Sequence, residues 1–164
     1  MLRINTILHP TDFSDAAMQS LHLARSLARD HGAKIVLLGV VVPAMPVSEV
    51  YVPVGEMAGS VEEMRRQLAK LASTITDVTV ESHALQGIPG HAIVAVADEL
   101  QADLIVMGTH GRSGLSRLVM GSVAEDVMRH ATCPVLTMKP LAKERVTQED
   151  VAFEASPVIG LAAG

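Results

Sequence analysis

The sequence predicts an α/β fold: an open five-stranded parallel sheet, strand order 3-2-1-4-5, with helices on both faces. Three observations predict it. Short apolar runs alternate with helical patterns along the chain, and that alternation implies parallel strands joined by right-handed crossovers. Hydrophobic residues make up 49% of 164, yet only two Phe, one Tyr and no Trp occur. The core is therefore aliphatic, as suits strands buried on both faces beneath packed helices. The third observation is a handover from strand to helix through several glycines, residues 107–123.

The elements follow in order. Residues 4–8 read as strand 1, ended by the turn-forming cluster His9-Pro10-Thr11-Asp12. Ser14 is placed to N-cap the first helix, with Asp15 in its first turn complementing the dipole. Ala17, Leu21, Ala24 and Ala28 share one helical face, Leu23 and Leu27 widen it, and Gly32 ends the helix. Residues 35–42 are nearly all apolar and Val-rich, the mark of a fully buried strand. Residues 43–59 carry three prolines and two glycines and predict a long loop of the kind that often covers a site.

Ser60 and Glu63 form a capping-box pair, and Val61, Met64, Leu68, Leu71 and Ile75 mark the buried stripe of the second helix. Val78, Val80, Ser82 and Ala84 alternate with more polar neighbours, which suits an edge strand. Pro89 fits the first position of a third helix, whose Ile93, Ala97 and Leu100 face inward. Residues 103–107 form strand 4. A fourth helix carries Val123 and Val127 and ends at His130-Ala131, and Val135–Met138 is strand 5.

The loop after strand 4 holds Gly108, Gly111, Gly114 and Gly121, with Ser122 after the last and with Arg112 and Arg117 as its cations. Glycine lets backbone N–H groups approach anionic oxygens closely, and a helix N-terminus adds free donors and a positive dipole end. A plain turn would use glycine too. Topology adds what the loop alone lacks. With strand 3 at one edge, the winding reverses between strands 1 and 4, and ligands of such sheets bind outside the carboxyl ends at that point. Pro10-Thr11-Asp12 therefore lies beside Gly108-Thr109-His110-Gly111.

Composition excludes several classes. The net charge of -5, with no basic stripe, argues against a nucleic-acid binder. No apolar run reaches the length of a membrane span. The N-terminus lacks the plan of a signal peptide, because polar residues and Pro10 interrupt it at once. A cytoplasmic protein is expected, and the single Cys133 reads as a small buried thiol. The nine Met read as core filler.

Taken together, these motifs resemble the universal stress protein family, ATP-binding type. Gly108-x-x-Gly111, nine residues, then Gly121-Ser122 matches that family's nucleotide signature. Pro10-Thr11-Asp12-Phe13-Ser14 resembles its first-loop motif, and residues 121–135 its fourth helix and final strand. The resemblance covers residues 1–139 as one domain and leaves 140–164 as a C-terminal tail without counterpart. It implies an adenine-nucleotide α-hydrolase-like, Rossmann-like fold that binds ATP or another adenine nucleotide. By position, Asp12 would contact the adenosine, flanked by Pro10 and Thr11, and backbone at Val40 and Val41 would meet the base. Gly108, Gly111, Arg112, Gly121, Ser122 and Val123 would surround the phosphates, and Met107 would also belong to the nucleotide site. Any Mg2+ would be held mainly by those phosphates. Phe13 stands where the family has a smaller residue and would crowd the ribose side.

The residues also have plainer uses. Asp12 can cap a turn, and Arg112 and Arg117 can be solvated charges; beside the glycines Arg112 is favoured for phosphate, with Arg117 left open. His9 and His110 do not make a metal set, since zinc sites show three or four ligands at recognisable spacing.

No P-loop Lys-Ser/Thr ending, carboxylate pair or Ser-His-Asp arrangement accompanies the loop, so no catalytic residue is assigned. A nucleotide-dependent regulatory or stress-response protein with slow or no hydrolysis is expected. One alternative is an adenylyl-transferring or ATP-hydrolysing enzyme, but its Ser-Gly-Gly-x-Asp-Ser loop is replaced here by residues 9–14. Another is an interaction module with an empty pocket, for which the glycine signature has no use. Family resemblance and the uncharged apolar edge of Val135–Met138 imply a homodimer through that strand. The tail begins charged and ends apolar, so it is either disordered or docked on a partner subunit.

Overall fold

A computed structural model describes residues 3–43, 60–109 and 121–139. Most of the 43–59 loop, the residues Gly111, Arg112, Gly114 and Arg117, and the tail 140–164 lie outside the described residues.

The element order is β1 (Thr6–Pro10), α1 (Asp15–His31), β2 (Lys34–Val41), α2 (Val61–Ser73), β3 (Val80–Gln86), α3 (Pro89–Glu99), β4 (Leu104–Gly108), α4 (Ser122–His130) and β5 (Val135–Met138). All pairings are parallel, and the strand order is β3-β2-β1-β4-β5. Alternate residues of the central strands enter two separate cores. Ile7, Ile35, Leu37, Leu104 and Val106 pack with Leu21, Ala24 and Ala28 of α1 and Leu68 of α2. Leu8, Val36, Leu38, Ile105 and Met107 pack with Ile93 and Ala97 of α3 and Ala124 and Val127 of α4. Strands covered on both sides have no polar face to show, which is why they read as continuous apolar runs.

The caps form as their residue types dictate. Ser14 Oγ accepts from the Ala17 N–H, and Gly32 closes α1 in the left-handed region at φ 68°. Ser60 Oγ accepts from the Glu63 N–H at 3.0 Å. The Glu63 carboxylate turns instead to Gln67 and Arg66 one turn on.

Several boundaries differ from the sequence reading. Strand β1 does not end at Leu8; it runs through His9 and Pro10, and both are buried. A proline loses one ladder only, and the β2 side continues, with Thr11 N–H reaching Leu38 C=O at 2.8 Å. Strand β3 lies two residues later than expected, because the long β2 supplies partners out to Val41↔Gln86. Ile75 is buried but lies beyond the end of α2. Asp103 precedes β4, and its carboxylate accepts the N–H groups of Asn5 and Thr6, stitching the start of β1 to β4. No helix among the described residues is long and apolar enough to cross a membrane.

Candidate functional site: the crevice between β1 and β4

The hydrogen-bond phase of each strand decides what faces this crevice. In a parallel strand the N–H and C=O of one residue point to the same side, and successive residues alternate. Thr11 N–H goes to β2, so Leu8 and Pro10 face β4. Ile105 N–H goes to Pro134 C=O and Thr109 N–H to Met138 C=O, so Val106 and Gly108 face β1. The β1–β4 register accordingly runs through Ile7↔Leu104 and Leu8↔Ile105 and stops. The next donor would be the N–H of Pro10, which does not exist. The backbone ladder between the two strands ends there, at the topological switch point.

Around that opening the structure places several of the residues singled out above. Thr11 is buried, and its Oγ1 accepts from Phe13 N–H. Asp12 is half-buried, and its Oδ1 accepts from Ser14 N–H at 3.0 Å, a turn that fixes the carboxylate at the mouth. Phe13 takes a left-handed φ of 61°, and its ring packs against the α1/α2 core. The neighbouring pair Val40 and Val41 divides. Val41 C=O accepts from Gly87 N–H on the β3 side. Val40, one residue out of phase, directs its N–H and C=O to the β1 side, beyond the last β1–β2 bond at Leu38.

Gly108 ends β4 with its backbone directed at β1. A Cβ there would stand 3.0 Å from Ala16 Cβ and 3.1 Å from the Ala16 carbonyl carbon. Close approach of α1 to the end of β4 thus favours glycine, whatever else binds nearby. Met107 is buried in the α3/α4 core. Gly121 N-caps α4 without a side-chain cap bond, Ser122 is exposed at the first helical position and Val123 is half-buried. Gly121 has no side chain to cap the first N–H groups of α4, which is the kind of helix start that can receive an anion. Gly121 N–H donates to Thr109 C=O at 2.8 Å, which ties the start of α4 to the end of β4 at this crevice.

His9, read from sequence as a turn residue, lies fully buried beside the opening, and its Nδ1 meets Val106 C=O at 2.8 Å. Burial pushes the ring down to about 4; the Val106 and Ala17 carbonyls and the charge of Asp12 oppose that without overcoming it. The ring is neutral near pH 7, so Nδ1 carries the proton toward Val106, and Nε2 has no hydrogen-bond partner among the described residues. The signal that would have revealed its place was the phase of Pro10.

At the other end of β4, Asp98, Gln101, Asp103, Thr132 and Cys133 line a shallow depression. Its carboxylates are already engaged, Asp98 by Thr132 and Asp103 by Asn5 and Thr6. Burial pushes the Cys133 thiol up, away from reactive thiolate. Among the described residues no three His, Cys, Asp or Glu side chains are grouped to hold a metal ion.

The family model for the universal stress protein family matches residues 3–139. A universal stress protein of Methanocaldococcus jannaschii is 35% identical over 144 residues, covering 84% of each chain. Among solved structures, the universal stress protein UspA from Lactobacillus plantarum superposes with a TM-score of 0.66 at 29% identity, over 83% of this chain and 98% of its own. A universal stress protein in complex with cAMP gives 0.61 at 25% identity, over 85% and 99%. A universal stress protein from Archaeoglobus fulgidus in complex with dAMP gives 0.53 at 25% identity, over 84% and 98%.

Proposed function

The chain belongs to the universal stress protein family, and on that premise we propose that it binds an adenine nucleotide, ATP in the first instance, and acts as a nucleotide-dependent stress-response regulator. The observation that carries this reading is the parted ladder between β1 and β4. It gathers around one opening the backbone of Val40, the carboxylate of Asp12, the backbone of Gly108 and the uncapped start of α4. Solved relatives described as complexes with cAMP and dAMP support an adenylyl ligand.

Each residue has a role its chemistry suits. Val40 N–H and C=O read the edge of the base. Asp12, already anchored by Ser14, accepts from a ribose hydroxyl. Gly108 and Gly111 bring backbone donors to the phosphates, Arg112 neutralises them, and Ser122 and Val123 present the N–H groups of α4. Pro10, Thr11 and Met107 shape the walls. Magnesium, when bound, screens the phosphates and is held mainly by them. No general base or nucleophile is pledged to the phosphates, so hydrolysis is slow or incidental. The protein works in the cytoplasm and forms a homodimer through β5, binding neither nucleic acid nor membrane.

The test is to denature freshly purified protein and identify released small molecules by mass. Stoichiometric adenine nucleotide is expected. Asp12→Ala should weaken ATP binding in calorimetry by roughly tenfold, the effect of losing a charge-assisted hydrogen bond. No released nucleotide and no heat with added ATP would overturn the reading. Fast multiple-turnover hydrolysis, lost in Asp12→Ala, would make the protein an enzyme instead.

A further inference from the structure

Val106 C=O faces β1 where the ladder expects the N–H of residue 10, and residue 10 is proline. A buried carbonyl left without a donor is costly, and the molecule supplies one from the preceding side chain: His9 Nδ1 stands 2.8 Å from Val106 O. We propose that His9 and Pro10 act as a paired device that keeps the crevice open, with His9 a positioning residue whose ring N–H replaces the missing backbone donor. The proposal rests on the nucleotide reading of that crevice for its purpose, though not for its geometry.

The phase of the proline makes the device selective. Pro10 turns its nitrogen toward β4; one residue earlier or later, a proline would have broken the β2 ladder instead. The β1–β2 pairing therefore stays intact to Pro10↔Leu38 and Thr11, holding Thr11 and Asp12 at the rim, while the β1–β4 pairing ends at Ile105. A ring is wider than a peptide N–H. With the imidazole as the bridge, Val106 is satisfied without a backbone bond that would extend the ladder. The burial of His9, fully inside and beneath the first turn of α1, keeps that bridge from exchanging with water.

Two measurements on the full chain, with ATP as the probe, test this. The first is nitrogen-15 spectroscopy of the histidine rings without nucleotide. One ring, absent in His9→Leu, is expected as the neutral Nδ1–H tautomer; an Nε2–H tautomer at His9 overturns the proposal. The second compares melting temperature and ATP affinity in a set of variants. His9→Leu should melt lower and bind ATP about tenfold more weakly, since Val106 loses its donor. His9→Asn, whose amide N–H stands near the place of Nδ1–H, should bind within about threefold of the unaltered chain.

The decisive variant is His9→Leu with Pro10→Ala. Its restored backbone N–H should return the melting temperature toward that of the unaltered chain, yet ATP affinity should stay low because the ladder has zipped closed. A double variant that binds ATP like the unaltered chain, or that melts no higher than His9→Leu, overturns the proposal. If the unaltered chain itself binds no ATP, the nucleotide reading fails, and the device stands or falls on the tautomer and the recovery of melting temperature.

Discussion

Gly121 donates its N–H to the carbonyl of Thr109 at 2.8 Å, and Thr109 in turn donates its own N–H to Met138 at 2.9 Å. The start of α4 is thereby tied to the end of β4, and β4 to β5. Gly121 sits at φ -65° and ψ 147°, values open to any residue and well suited to proline. Gly121→Pro should keep that φ and delete the donor, costing about 1 kcal/mol. Gly121→Ala keeps both and should stay within about 0.5 kcal/mol. Thermal melts of the two variants give the answer, and equal melting would show that the closing bond contributes nothing.

Gly108 is set by packing. A Cβ at 3.0 Å from Ala16 Cβ and 3.1 Å from the Ala16 backbone would push the first turn of α1 off β4. Gly108→Ala should therefore destabilise the fold by about 1–3 kcal/mol, measured by urea unfolding. Paired with Ala16→Gly, little of that loss should return, because the Ala16 backbone stays in place.

Acid should unfold the protein partly through His9. Its folded value is about 4, against 6.5 in an unfolded chain. Between those values the unfolded chain holds a proton that the folded chain does not, so stability is full above about pH 6.5 and falls as the pH drops toward about 4. The effect is on the order of 3 kcal/mol. Asp12 is the charged group that acts on the ring, and it opposes the shift. Urea midpoints measured across this range should slope downward on acidification, and His9→Asn should lose that part of the slope.

The edge strand β5 offers a test of assembly. Pro134, Leu136 and Met138 face β4, so Val135 and Thr137 present their backbone groups outward. Leu136 is 37% exposed on the α1 side. A dimer formed by backbone pairing needs the Thr137 N–H. Thr137→Pro removes it without touching the β4 ladder. Sedimentation at micromolar concentration should show a dimer for the unaltered chain and a folded monomer for the variant; a variant that stays dimeric places the interface elsewhere.

Much of this architecture was legible in the sequence for local reasons. The period of two or of 3.6 in apolar residues identified strands and helices. Ser14, Gly32, Ser60 and Pro89 marked helix ends through chemistry each carries within a few residues of itself. The strand order followed from one polar, alternating strand being an edge, which left the reversal between β1 and β4.

Only the tertiary structure decided how that crevice is made. Whether Pro10 ends a strand or opens one of its two ladders depends on which neighbour its nitrogen faces, and that is a property of three strands together. The same phase separates Val40, which faces β1, from Val41, which is spent on Gly87. It also turns His9 from a turn residue into the donor for Val106. Gly108 likewise looks like a phosphate glycine in sequence, and in the fold it is also favoured by the close packing of Ala16 on α1. Periodicity records which side chains are buried; the direction of each backbone hydrogen bond is settled only when neighbouring strands meet.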